Sequence, residues 1–160
     1  MGRLAGKRVA FAAKFFLVFG AGQALLLGAD LRPLLDWIAG LVGGWTGLAV
    51  QGNRIVFAGG AFAVTENCSG LFSVALLAGL VFAGRRPGLR GKLALLGVGA
   101  AGLFALNLAR LYGVVEAGKF GGAGTAEALH VGSWFLTGGL VLFYWKKGME
   151  KAVGSLKRAL

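Results

Sequence analysis

Four long apolar runs, separated by short polar segments, dominate the chain. They cover about residues 11–29, 69–84, 93–112 and 128–145. A helix needs about 20 apolar residues to cross the hydrocarbon core of a bilayer, and these runs approach or reach that length. The pattern predicts an all-α polytopic membrane protein with four transmembrane helices, built as a single integral membrane domain over residues 1–160. The basic tail, 146–160, is predicted to be a cytoplasmic surface helix.

Two segments between the first and second runs have other patterns. Residues 37–50 are apolar and glycine-rich but short for a crossing, which leaves a full span or an interfacial or re-entrant helix as readings. Residues 54–65 are β-branched and aromatic on both sides of Gly59-Gly60, which predicts a short β-hairpin. Open strand edges cannot face lipid, so we expect this hairpin on the outer surface or against the helices. Residues 113–127 are predicted to be a glycine-rich loop.

The composition supports the membrane assignment and excludes several functions. Hydrophobic residues make up 57% of the chain and charged residues 14%, outside the range of soluble domains. The net charge of +11 comes from basic residues beside the apolar runs, which is typical of topology signals, so no nucleic-acid partner is expected. One cysteine and one histidine cannot form an intramolecular disulfide or a tetrahedral metal site, and we predict no metal and no cofactor.

The distribution of basic residues predicts the orientation. If residues 37–50 do not cross, one side holds Arg3, Lys7, Arg8, Lys14, Arg85, Arg86, Arg90, Lys92, Lys146, Lys147, Lys151, Lys157 and Arg158. The other side holds only Arg32, Arg54, Arg110 and Lys119, with Asp30, Asp36, Glu66, Glu116 and Glu127. This bias predicts a multi-pass protein of the cell membrane with both termini cytoplasmic. A crossing by 37–50 would put the basic N-terminus and the 85–92 turn on opposite sides.

The same topology brings three chemically distinctive residues to the extracytoplasmic face. Cys68 precedes the second run, Arg110 ends the third and His130 begins the fourth. Each alone has an ordinary reading: a buried small residue, a side chain reaching the headgroups, and an interface residue. However, Asn107 lies one helical turn before Arg110 on the same face, which favours a polar-lined pocket. Cys68 also lies at a helix start, where backbone amides stabilise a thiolate.

Together these residues have the chemistry of a cysteine acyltransferase. A thiolate attacks a carbonyl, an imidazole moves the proton, and a guanidinium stabilises the negative charge that develops. Three carboxylates could orient the imidazole, and the sequence does not choose among them: Glu66, Glu116 and Glu127.

The motifs around these residues resemble the exosortase/archaeosortase family. Glu-Asn-Cys-Ser-Gly-Leu at 66–71, Asn-Leu-Ala-Arg at 107–110 and His130 are similar to its three signature blocks, and the resemblance covers about residues 55–145. It implies a polytopic cysteine transpeptidase, convergent with soluble sortases. The chain is shorter than bacterial members with about eight spans and resembles the minimal core. The residue roles that the resemblance implies are Cys68 as nucleophile, His130 as general acid/base and Arg110 as transition-state stabiliser, with Asn107, Asn67 and Ser69 in support.

The resemblance also implies the function and the partners. The expected enzyme cleaves C-terminal sorting signals of secreted or surface proteins, each built of a short motif, a membrane helix and a basic tail. It forms a thioester at its cysteine and passes the new C-terminus to an acceptor, which is a lipid in archaeal members, or to another nucleophile. The alternative is a non-enzymatic small membrane protein, such as a transporter subunit or an assembly factor. Replacing Cys68 with alanine distinguishes the two.

Overall fold

The structure, a computed structural model, describes residues 2–58 and 60–158. Its elements, in chain order, are helix α1 (Gly2–Gly28), helix α2 (Arg32–Thr46), strands β1 (Ala49–Gln51), β2 (Arg54–Phe57) and β3 (Gly60–Ala63), a 3-10 turn (Glu66–Cys68), helix α3 (Leu71–Ala83) and helix α4 (Leu89–Arg158). The predicted surface helix of the tail is the continuation of α4, and its last two residues lie outside the described part of the chain. The protein is therefore mostly helical, with one small sheet.

Helix α4 folds back on itself at Gly122. This residue has φ 77° and ψ −176°, a region open essentially only to glycine. The break divides α4 into a first arm, 89–121, and a second arm, 123–158. The arms run antiparallel and in contact, since the Tyr144 hydroxyl donates to the Leu95 carbonyl oxygen at 3.0 Å. The element is therefore a helical hairpin.

The prediction of a loop over 113–127 was wrong, because this segment is helical on both sides of Gly122. Glycine in a helix costs only about 1 kcal/mol relative to alanine, which packing readily offsets. Here Phe57 of the sheet packs into the tip of the hairpin with Val114 and Ala126, and all three are buried. A Cβ at Gly118 would lie 3.0 Å from the Phe57 ring, so this glycine allows the close packing.

Helices α1 and α3 and the two arms of α4 form an antiparallel arrangement with two distinct ends. At the basic end, Lys14 and Arg85 line one cavity, and Gly84 lies beside Met149. At the opposite end, which we call the sheet end, the last turns of α1 meet the start of α3. Successive helices thus run in alternating directions.

Two described helices are long and apolar enough to cross a membrane. They lie at Arg8–Gly28 and Leu89–Glu150, and the second contains both arms of α4. Helix α3 is apolar apart from Ser73 but has only 13 residues. Many large apolar side chains point outward; Leu27 is 88% and Phe135 83% exposed. Such a surface is suited to lipid contact.

Helix α2 and the sheet cover the sheet end of the helices. The apolar segment predicted at 37–50 forms a helix, but this helix begins five residues earlier, at Arg32, and stops at Thr46. Proline is tolerated in a first helical turn, so Pro33 does not delay the start. Gly47 ends the helix with φ 67°, and Val50 belongs to strand β1.

The predicted hairpin is present as β2 and β3, and β1 extends it to a three-stranded antiparallel sheet of order β1-β2-β3. Gly59, in the predicted turn, lies outside the described residues. One face of the sheet is buried: Ile55 packs against α2 and against Leu111 and Val115 of the first arm. The other face is exposed, as alternation along an antiparallel strand requires. Strand β3 leads directly into the turn that carries Cys68.

Candidate active site

Cys68 lies in the 3-10 turn between β3 and α3. The Cys68 amide donates to the Thr65 carbonyl oxygen at 2.8 Å, and the Ser69 amide to that of Glu66 at 3.1 Å. The buried Ser69 hydroxyl donates to the Glu66 carbonyl oxygen at 2.6 Å and accepts from the Leu71 amide at 3.2 Å. Ser69, a residue predicted to support the site, therefore closes the turn and joins it to the first amide of α3. The thiol is fixed in place, and Cys68 is only 1% exposed.

Asn107 ties this turn to the first arm of α4. Its side-chain amide donates to the Cys68 carbonyl oxygen at 2.5 Å, and the residue is 5% exposed. The contact depends on Gly70, which has φ 79° and whose added Cβ would lie 3.1 Å from the Asn107 Cβ. Asn107 thus contacts the backbone of Cys68 and positions the thiol.

The structure brings Cys68 and His130 together across 62 residues of sequence. The Cys68 Sγ lies 3.7 Å from the His130 Nε2, within hydrogen-bond distance for sulfur. Thr65 Oγ1 lies 3.4 Å from the same sulfur. Sequence reasoning did not single out Thr65, and its spacing of three residues from Cys68 was the available signal. The thiol therefore has one basic and one hydroxyl neighbour.

Trp134 was also missed, and it organises the surroundings of His130. Its indole N–H donates to His130 Nε2 at 3.3 Å, from one helical turn further along the second arm. The spacing i, i+4 places the two side chains on one face and was the signal in the sequence. Phe62 of β3 contacts the imidazole on another side, with ring centroids 5.5 Å apart. The imidazole is thus held between an indole and a phenyl ring.

None of the three candidate carboxylates orients the imidazole. His130 Nδ1 is buried and has no hydrogen-bond partner in the part of the chain that the structure describes. Glu116 forms an ion pair with Lys119 at 2.7 Å. Glu127 lines the same cavity as His130, and Glu66 lines a separate cavity against the end of α1. The ring orientation therefore comes from packing.

Arg110 lies on the other side of Trp134. Its Cζ is 5.6 Å from the centroid of the indole ring, and the guanidinium is close enough to interact with a thiolate at Cys68 or an imidazolium at His130. Arg110 Nε is buried and has no partner among the described residues. A half-buried guanidinium with an unused donor is suited to an incoming oxyanion.

Asn67 is exposed, in contrast to the other residues predicted for this site. Its side chain lines the separate cavity with Gln23 and Glu66, and His130 does not line that cavity. The structure thus brings Cys68 and His130 into contact, ties Asn107 and Ser69 to the turn of Cys68, and places Arg110 over the Trp134 ring, while Asn67 lines the second cavity, as Ser69 also does.

The thiol and the imidazole open into a cleft of about 310 Å³. Its wall on one side is strand β3 with Thr65, and on the other side it is the second arm of α4. The lining residues are Ala61, Phe62, Ala63, Thr65, Cys68, Ala123, Glu127 and His130. Within the described residues, no group of three or more His, Cys, Asp or Glu side chains is arranged to hold a metal ion. The cleft therefore brings a thiol and an imidazole to one opening.

Comparison with known proteins identifies the family. The family model for the transmembrane exosortase matches residues 2–145, which include every residue described in this site. A search of the curated proteins and a search of the solved structures found no match. The family match covers most of the chain, and it includes the turn, the first arm and the start of the second arm. The chain therefore belongs to the transmembrane exosortase family.

Proposed function

We propose that this protein is a membrane cysteine transpeptidase that cleaves the C-terminal sorting signals of secreted proteins through a thioester on Cys68. Membership of the exosortase family supports cysteine transpeptidase activity in general. The observation that carries the specific mechanism is the 3.7 Å contact between Cys68 Sγ and His130 Nε2. A nucleophile within reach of a base is the arrangement that acyl transfer requires.

In the first half-reaction, His130 Nε2 accepts the thiol proton and the Cys68 sulfur attacks the carbonyl carbon of the scissile peptide bond. The carbonyl oxygen becomes an oxyanion, which the guanidinium of Arg110 stabilises. The imidazolium then gives its proton to the leaving nitrogen, and the C–N bond breaks. The new C-terminus of the substrate is held as a thioester, while the membrane helix and basic tail leave with the new amine.

In the second half-reaction, an acceptor attacks the thioester carbonyl. The acceptor is an amine or hydroxyl, of a lipid or another molecule, or water, and His130 Nε2 accepts its proton as it adds. The C–S bond breaks, and the imidazolium returns a proton to the thiolate. Both residues are then in their starting states, so the cycle needs no cofactor. Packing by Trp134 and Phe62 holds the ring beside the sulfur, and the indole N–H must release the Nε2 lone pair when that nitrogen takes the thiol proton.

We further propose that α1, α3 and the two arms of α4 cross the cell membrane, with both termini cytoplasmic and the site at the extracytoplasmic face. The basic end of the helices, with Lys14 and Arg85, is suited to the cytoplasm. The first arm is about 50 Å long at 1.5 Å per residue, more than the roughly 30 Å of a hydrocarbon core. The excess length, where Val114 and Gly118 meet the sheet, projects beyond the bilayer.

Cysteine labelling tests this orientation. Starting from Cys68→Ala, which removes the single cysteine, one variant carries Gln51→Cys in the sheet and another Arg85→Cys at the basic end; both positions are exposed. A membrane-impermeant maleimide should label the first variant in intact cells and the second only after permeabilisation. Labelling in the reverse order would invert the topology and exclude an extracytoplasmic site.

Removal of the gene from its host tests the function. Secreted proteins that end in a membrane helix and a basic tail should keep those segments in the deletion strain, and re-expression of the gene should restore cleavage. Mass spectrometry of C-terminal peptides measures the uncut fraction. Membrane proteins whose helices are internal should be unaffected. If no C-terminal segment is retained, the protein is not a sorting enzyme, and the non-enzymatic alternative gains support.

A further inference from the structure

Strand β3 has an unpaired edge beside the active-site cleft. In the sheet order β1-β2-β3, it pairs with β2 on one side only, among the residues that the structure describes. Its other edge borders the cleft of about 310 Å³ that contains Cys68 and His130. Proteins usually block such an edge with lysine, proline or a bulge. Strand β3 has the sequence Gly-Ala-Phe-Ala, which contains no charge and no proline.

The backbone of this edge presents hydrogen-bonding groups to the cleft. The Val64 amide donates to the Asn53 carbonyl oxygen at 2.8 Å, so Val64 faces β2. Because these directions alternate along an antiparallel strand, the backbone N–H and C=O groups of Phe62 also face β2. Those of Ala61 and Ala63 then face the free edge. Both alanines are exposed, and their side chains lie on the open face of the sheet. The edge thus offers donors and acceptors without bulky side chains.

The second arm of α4 packs beneath this edge of the sheet. Gly60 lies against Ala123, since a Cβ added to this glycine would be 3.2 Å from the Ala123 Cβ. Phe62 lies against His130. Strand β3 and the second arm therefore run in the same direction, from the break at Gly122 towards the thiol. An extended chain beside β3 would cross Glu127 and reach Cys68 at its end.

We infer that the extended segment of the substrate that precedes its membrane helix binds as a fourth strand, parallel to β3 and hydrogen-bonded to Ala61 and Ala63. This inference rests on the proposed function, because the direction follows from the substrate's path. A secreted substrate runs N- to C-terminal from the exterior into the bilayer, and β3 runs from the tip of the α4 hairpin towards the helices. Addition of a strand to a sheet edge obtains affinity from main-chain hydrogen bonds and specificity from alternate side chains.

Disulfide mapping tests this register. The enzyme carries Cys68→Ala with either Ala61→Cys or Ala63→Cys, so each variant has one cysteine. The probe is a precursor that accumulates in the deletion strain, with single cysteines at successive positions before its C-terminal helix. Neighbouring strands are about 4.8 Å apart, which is within the Cα separations that a disulfide spans. If position 61 cross-links best to precursor residue k, position 63 should cross-link best to residue k+2.

The control is Gln51→Cys in the same background, which lies on the same exposed face but on the opposite edge of the sheet, in β1. It should give no cross-link above background. Pairing of position 63 with k−2 would overturn the parallel direction, and equal cross-linking at all positions, or at none, would overturn strand addition. If precursor accumulates in the deletion strain and either of these contrary cross-linking results is found, this inference is wrong but the proposed function stands. If no precursor accumulates, the proposed function fails first.

Discussion

Replacement of Cys68 with alanine is expected to lower the rate of sorting-signal cleavage by at least about 10³-fold, since removal of a covalent nucleophile removes the entire acyl-transfer route. The Ser69 hydroxyl cannot substitute, because it donates to the Glu66 carbonyl oxygen and accepts from the Leu71 amide. Cys68→Ser should also be strongly impaired, because a neutral hydroxyl is a weaker nucleophile than a thiol. Pulse-chase of an accumulating precursor in cells that express each variant measures the rate.

The matched control is Thr137→Ala, on the same arm as His130. The Thr137 hydroxyl donates only to the Ser133 carbonyl oxygen, so its removal should leave cleavage near the wild-type rate. Cys68→Ser keeps nearly the original volume and separates a chemical loss from a packing loss at this buried position. Cleavage at more than a tenth of the wild-type rate in Cys68→Ala would exclude the thioester mechanism.

Replacement of His130 with alanine is expected to lower the cleavage rate by about 10²- to 10⁴-fold, the range for removal of a general acid/base. Nε2 is the ring nitrogen that faces the thiol, at 3.7 Å. Without it, the thiol proton and the leaving nitrogen have no common carrier. The same pulse-chase gives the rate, and imidazole added to the medium should restore part of it, because the cleft of about 310 Å³ admits a small base.

Trp134→Phe is the matched variant for this prediction. It keeps an aromatic ring against Phe72 and below the Arg110 guanidinium, but removes the N–H that donates to His130 Nε2. Because this N–H carries no proton in the reaction and must release the Nε2 lone pair when the thiol proton transfers, its removal should change the rate by less than about 10-fold, the scale of one hydrogen bond. A larger loss in Trp134→Phe than in His130→Ala would exclude His130 as the proton carrier.

Much of the architecture follows from local sequence pattern. The apolar runs predict α1, α3 and both arms of α4 because the period and length of such runs depend on near neighbours only. The β-branched residues around the Gly59-Gly60 pair predict the β2–β3 hairpin for the same reason. The sequence also identifies Cys68, Arg110 and His130 as candidates, because the predicted topology brings a thiol, a guanidinium and an imidazole to the same face.

Tertiary structure decided the features that depend on contacts between distant segments. The first and second arms join through helix instead of a loop because Phe57, from the sheet, packs against Val114 and Ala126. Strand β1 forms because β2 offers it an edge, although Ala49–Gln51 carries no strong strand signal of its own. Local propensity could not predict either feature, because the stabilising partner lies far away in the chain.

The composition of the site was likewise decided by packing. Three carboxylates were equally suited by sequence to orient His130, and the imidazole is instead held by Trp134 and Phe62. Asn107 donates to the Cys68 carbonyl oxygen because Gly70 has no side chain to prevent the approach. The sequence by itself thus identified the candidate residues Cys68, Arg110 and His130 and predicted that they lie at one end of the helices. The tertiary structure decided which of them touch, because contact distances depend on how helices and strands pack across the whole chain.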